Sequence, residues 1–179
     1  MKMHINYYEK LKPSSSYHIF NKSISSDKLF AETHDYLVFL LKLKKYIYPV
    51  AEILSYCLIP NHFHLLVEIR SMESIQQELM SERSPEKLIA QQFSNFFNSY
   101  AKSFNANHDR AGRLFLYPFK RIQVDDGEYL RYLICYFFEI FHFSPEMCKP
   151  YFSQPIRRKM KFRLDKIIVS GNILLPGII

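Results

Sequence analysis

An α+β sandwich of ferredoxin-like type with an antiparallel sheet is the fold class this sequence predicts. Three observations carry it: elements in the order β-α-β-β-α-β-α, one pair of directly adjacent strands, and enough apolar residues for one core. The chain has 179 residues, 48% of them hydrophobic, and only four glycines, which describes one folded domain. Sixteen Phe and thirteen Tyr, with no Trp, supply a dense core and flat faces on which nucleobases stack.

Residues 14–24 mix β-branched and aromatic side chains with polar ones and read as a first strand followed by a loop. From Thr33 the period changes: Leu37, Phe39, Leu40, Leu41, Leu43 and Ile47 recur at helical spacing, and Pro49 stops the run. Residues 50–59 and 62–69 form two strands, broken at Pro60-Asn61, where proline withholds a ladder donor and asparagine favours a turn. Residues 71–84 are polar and read as a short helix plus loop. Ser84-Pro85 opens the next helix, with serine as cap and proline in the first turn, and it runs to about Asn105. A strand over residues 114–124 and a last helix over residues 128–141 complete the pattern. Beyond Pro145 we expect a basic linker and one terminal strand.

The formal charge of +7 favours polyanionic partners, since neutralising phosphates releases condensed counterions. Cys57, Cys135 and Cys148 are odd in number and contain no C-x-x-C pair, the pattern of reduced thiols in a cytoplasmic protein. The opening residues MKMHINYYEK lack an apolar signal core, and the longest apolar stretch, residues 132–143, is too short and too polar to span a bilayer. No membrane association is expected.

The most informative segment is Tyr56 to Val67, YCLIPNHFHLLV. His62 and His64 lie two apart in a strand, so both imidazoles project from one face and Phe63 from the other. Two imidazoles offer half of a divalent-metal site, leaving positions open for water and phosphate oxygens. Taken alone, H-x-H is more often a surface pair or a satisfied core pair than a ligand set.

The string P-N-H-F-H-L-L-V, after a strand ending Y-C-L, resembles the signature of the REP-associated tyrosine transposases of the HUH endonuclease superfamily. YHIFNKSI at residues 17–24, FLLKLKKYIYP, FSNFFNSYAKSFNANHDRAGRLF and FKRIQVDDGEYLRYLICY are similar to further segments of that family, over roughly residues 15–136. The resemblance implies an HUH-type catalytic domain over residues 1–145, with residues 146–179 a divergent basic tail. It implies an enzyme that nicks and rejoins single-stranded or hairpin DNA with Mg²⁺ or Mn²⁺, through a 5′-phosphotyrosine intermediate, His62 and His64 binding the metal. Relatives include monomers and domain-swapped dimers, so a homodimer stays open.

The family nucleophile falls on Tyr136 when the match runs forward from Glu128-Tyr129-Leu130. Tyr132 shares its helix face and Tyr129 lies on the same side; the alternative is an aromatic core stripe. The family continues Y-I-H-x-N-P, whereas this chain reads Tyr136-Phe137-Phe138-Glu139 before I-F-H-F-S-P at residues 140–145. Either one helical turn has been inserted or the nucleophile has been lost. The second case leaves a degenerate or domesticated hairpin-DNA-binding protein of the same fold. Glu139 is the nearest carboxylate for completing the metal shell, its alternative being a solvated helix glutamate. Candidate phosphate contacts are Lys42, Lys44 and Lys45 on the first helix, and Arg110, Arg113, Lys120 and Arg121 around the fourth strand. Arg157, Arg158, Lys159, Lys161 and Arg163 add charge in the tail. An RNA-binding ferredoxin-like module is a further option, but the chain lacks the aromatic RNA-binding signature of those domains.

Overall fold

The computed structural model describes residues 6–24, 28–125, 127, 129, 130, 133 and 148–149. The named elements run β1 (Ser16–Lys22), α1 (Thr33–Tyr46), β2 (Ala51–Ile59), β3 (His62–Ile69), α2 (Met72–Leu79), α3 (Pro85–Asn107), β4 (Lys120–Gln123) and β5 (Cys148–Lys149). Gly127, Tyr129, Leu130 and Leu133 are also helical. The strands form one sheet in the order β4-β1-β3-β2-β5, every pair antiparallel. The fold is α+β, and both β-α-β crossovers straddle one strand: β3 lies between β1 and β2, and β1 between β3 and β4.

Alternation along the strands sorts side chains into two layers. One face carries Tyr17 and Ile19 of β1, Tyr56 and Leu58 of β2, and Phe63, Leu65 and Val67 of β3. These join Phe39 and Leu43 of α1 and Ile89, Phe93, Phe96 and Tyr100 of α3 in the main core. The opposite face holds a smaller cluster of Leu54, Cys57, Leu66 and Leu133, flanked by Ile59, Val124, Tyr129 and Leu130. The helical residues near position 130 therefore cover the face that the long helices leave open.

Local chemistry accounts for the boundaries. Asp35 is buried at the start of α1, where its carboxylate accepts the backbone N–H groups of Ala31 (2.8 Å) and Glu32 (3.0 Å) and the Nε2–H of His108 (2.9 Å). Pro85 occupies the first turn of α3 as expected, with Ser84 at the cap position, although the serine side chain makes no capping bond. β4 is shorter than the sequence indicated. Pro118 has no N–H for the ladder, and β4 begins only at Lys120. Before it, Phe115 makes one isolated bridge to Ser23. Among the described residues no helix is long and apolar enough to cross a membrane.

Phe39 is the hub of the main core, its ring centroid 5.0–5.1 Å from those of Phe30, Phe63, Phe96 and Tyr100. Replacing it with alanine removes a ring from a packed aromatic cage and should cost about 3–5 kcal/mol. Urea denaturation of Phe39→Ala against the parent chain measures this; a loss below about 1 kcal/mol would mean the cage is loosely packed.

Candidate metal centre

The register across the sheet decides which residues meet. Phe20 stands opposite His64 and Lys22 opposite His62 on β1, while Cys57 and Ile59 of β2 oppose the same two histidines. On β4, Lys120 stands opposite Phe20. Opposed residues share a face, so His18, Phe20 and Lys22 line up beside His62 and His64, on the side turned away from α1 and α3.

The rings of His62 and His64 are neighbours, with centroids 5.2 Å apart and planes at 83°. Each has its Nδ1 engaged. That of His62 donates to Asn61 Oδ1 at 2.7 Å, because an amide oxygen only accepts. That of His64 is hydrogen-bonded to Nε2 of His18 at 2.9 Å, and Nδ1 of His18 lies 3.0 Å from the Tyr129 hydroxyl. The His18 and His64 rings are within 20° of parallel, and Phe20 stacks on both, at 4.7 Å and 5.6 Å.

Burial sets the charge of these rings. His18 is 5% exposed and His64 8%. Desolvation, helped by the neighbouring His64, pushes the His18 pKa down to about 3; desolvation, helped by His62, does the same to His64. Burial and then the charge of Lys22 lower His62. All three are neutral at pH 7, and a neutral imidazole is the form that binds a cation.

Two adjacent neutral imidazoles on one strand face fit a divalent ion as part of its shell. His18 is not a third ligand, since its two nitrogens are used by His64 and Tyr129. Among the described residues no group of three or more His, Cys, Asp or Glu forms a metal cage. His62 and His64 would thus hold the ion with oxygen ligands from elsewhere. Tyr132, Tyr136, Glu139 and the basic tail lie outside the described residues.

The candidate phosphate contacts divide. Lys120 shares the histidine face, with its ammonium 5.0 Å from the Tyr7 ring and 5.9 Å from that of Phe20. Arg113 is exposed on the loop that joins the end of β1, where Leu116 N–H donates to Lys22 O at 3.1 Å. Arg110 sits in the same loop and bonds Asn105 Oδ1 and the carbonyl of Arg113. Arg121 faces the other way and ties down the N-terminal segment, donating to the carbonyls of Tyr8 and Glu9. Lys42, Lys44 and Lys45 are on α1, in the layer on the far side of the sheet, and the structure does not bring them to the histidines. Three residues that sequence reading did not select do belong here: His18, Lys22 and Asn61. Tyr129, ranked behind Tyr136, is the tyrosine whose hydroxyl reaches the cluster among the described residues.

No family model matches the chain, and no curated protein matches it. Among solved structures it is similar to a REP-associated tyrosine transposase bound to a REP hairpin. That likeness has 11% identity and a TM-score of 0.48, over 78% of this chain and 74% of that one. A likeness so distant assigns no activity. The functional reading stands on the histidines.

The depressed histidine pKa values set a direction for acid stability. Unfolded imidazoles take up protons near pH 6.5, whereas His18 and His64 in the fold resist until about pH 3. Between those values the unfolded chain binds more protons, so stability is full above about pH 6.5 and falls as pH drops toward 3. The melting temperature of the metal-free protein should decline across that window, and less steeply in His18→Phe. Identical pH profiles for the two proteins would contradict buried neutral rings.

Proposed function

We propose that the chain is a metal-dependent, HUH-type DNA transposase that nicks and rejoins single-stranded DNA beside a hairpin. The observation that carries the reading is the pair of neighbouring neutral imidazoles on the middle strand, each with its Nδ1 bonded to another side chain. Orienting bonds of that kind are what a metal-binding histidine needs. The family resemblance of residues 15–136 and the basic charge support a nucleic-acid substrate.

In this reading His62 and His64 hold Mg²⁺ or Mn²⁺, with Glu139 as the candidate oxygen ligand. Bound there, the ion supplies positive charge to the non-bridging oxygens of the scissile phosphate. Tyr136 is the nucleophile: its phenolic oxygen bonds to phosphorus, the bond to the 3′ oxygen breaks, and the proton passes to that oxygen. The products are a 5′-phosphotyrosine and a 3′-hydroxyl, and the reverse step rejoins the strand. In this reading Lys22 and Lys120, which share the histidine face, contact the phosphates of the bound strand. The described helical residues Tyr129, Leu130 and Leu133 lie on the histidine side of the sheet, which supports a reading in which the tyrosine of that helix reaches the bound phosphate.

The departure of residues 136–145 from the family pattern favours a second reading, a hairpin-binding protein that no longer cleaves. One assay separates the two. A hairpin-bearing single strand incubated with Mn²⁺ should yield a covalent protein adduct and a 3′-hydroxyl fragment. His62→Ala should lose more than 100-fold in rate, on the order of a missing charge-stabilising group, and Tyr136→Phe should bind the hairpin without forming adduct. Adduct in Tyr136→Phe would move the nucleophile to Tyr132 or Tyr129. Tight hairpin binding by the parent chain with no adduct would establish the second reading.

A further inference from the structure

We propose that His18 is a positioning residue that fixes the tautomer of His64, so that Nδ1 carries the proton and Nε2 keeps its lone pair for a cation. The inference rests on the metal reading above and deepens it.

A hydrogen bond between two neutral imidazoles needs one N–H and one lone pair, so the chain Tyr129–His18–His64 has two polarities. In the first, the Tyr129 hydroxyl donates to His18 Nδ1 and His18 Nε2–H donates to His64 Nδ1. The proton of His64 then sits on Nε2, which is closed to a cation. In the second, every bond reverses: His64 Nδ1–H donates to His18 Nε2, His18 Nδ1–H donates to the Tyr129 oxygen, and Nε2 of His64 presents a lone pair. The neighbouring His62 is already held in this form, because Asn61 Oδ1 accepts from its Nδ1–H. The second polarity gives both histidines the same tautomer, each with an unprotonated Nε2 for a cation.

The surroundings suit that role. The His18 and His64 planes are within 20° of parallel with centroids 5.1 Å apart, and at that separation a 2.9 Å bond between Nε2 and Nδ1 runs close to the ring radii, along the in-plane lone pair. Phe20 stacks on both rings and restricts their rotation. Because Tyr129 belongs to the helical segment over the sheet, the same chain ties the placement of that segment to the orientation of a metal ligand.

The test is long-range proton–nitrogen NMR on the metal-free, full-length protein with ¹⁵N-labelled histidine, which reads the tautomer of each ring. His62 and His64 should both be protonated on Nδ1 and bare on Nε2. In His18→Phe, which keeps an aromatic ring but no nitrogen, His64 should move to the Nε2–H form or a mixture. Mn²⁺ affinity measured by calorimetry should then fall roughly 10–100-fold. His18→Gln, whose amide oxygen accepts from His64 and whose NH₂ donates to Tyr129, should recover most of both. Tyr129→Phe removes only the far end of the chain and should give an intermediate mixture. An Nε2-protonated His64 in the parent protein overturns the proposal, and so does a His64 tautomer unchanged in His18→Phe. Parent protein with the expected tautomers but no Mn²⁺ binding would uphold the tautomer assignment and defeat the metal reading instead.

Discussion

Along β3, the middle strand of the sheet, alternate side chains answer to two layers with opposite demands. Phe63, Leu65, Val67 and Ile69 close the core beneath α1 and α3, while His62, His64 and Leu66 face the other way. A slip of one residue would drive two imidazoles into an aromatic core and expose Phe63 and Leu65. Burying Phe63 and Leu65 is worth about 1.5–3 kcal/mol each, so the apolar half of the strand locks the register. The polar half inherits its geometry from that lock, down to Lys22 facing His62 and Phe20 facing His64.

Placing histidines in the second layer carries an energetic cost that the hydrogen bonds offset. An unpartnered buried polar group costs about 1–3 kcal/mol, and a charged one more. The fold meets this by keeping the rings neutral and by bonding His64 to His18, His18 to Tyr129, and His62 to Asn61. Phe20 supplies the apolar floor. What results is a pair of imidazoles held by side-chain hydrogen bonds on a strand paired along both edges, the kind of support that a precise site needs.

Much of this was legible in the residues. The helical spacing through Leu43, the Pro60-Asn61 break and the Pro85 helix start each rest on local chemistry, and α1, β2, β3 and α3 lie where those signals place them. His62 and His64 share a face because a strand alternates, which needs no partner to predict. His18 was not legible. A lone histidine in a strand reads as a core residue, and its role depends on a pairing between β1 and β3 that is 46 residues distant in sequence. The side of the sheet on which the basic residues fall was not legible for a related reason. Composition gives the sum of the charge but not its side, so Lys42, Lys44 and Lys45 fall on the layer away from the histidines. Arg121 faces that way too, its guanidinium spent on backbone carbonyls. Tyr136 and Glu139 fall outside the described residues, and their roles stand on resemblance.

The central claim is that His62 and His64 together present two imidazole nitrogens to one divalent ion. Pulsed electron paramagnetic resonance on the Mn²⁺-loaded protein counts the nitrogens coupled to the metal. Two coupled nitrogens are expected, falling to one in either single alanine variant. Bound Mn²⁺ with no coupled imidazole nitrogen, unchanged in both variants, would contradict it.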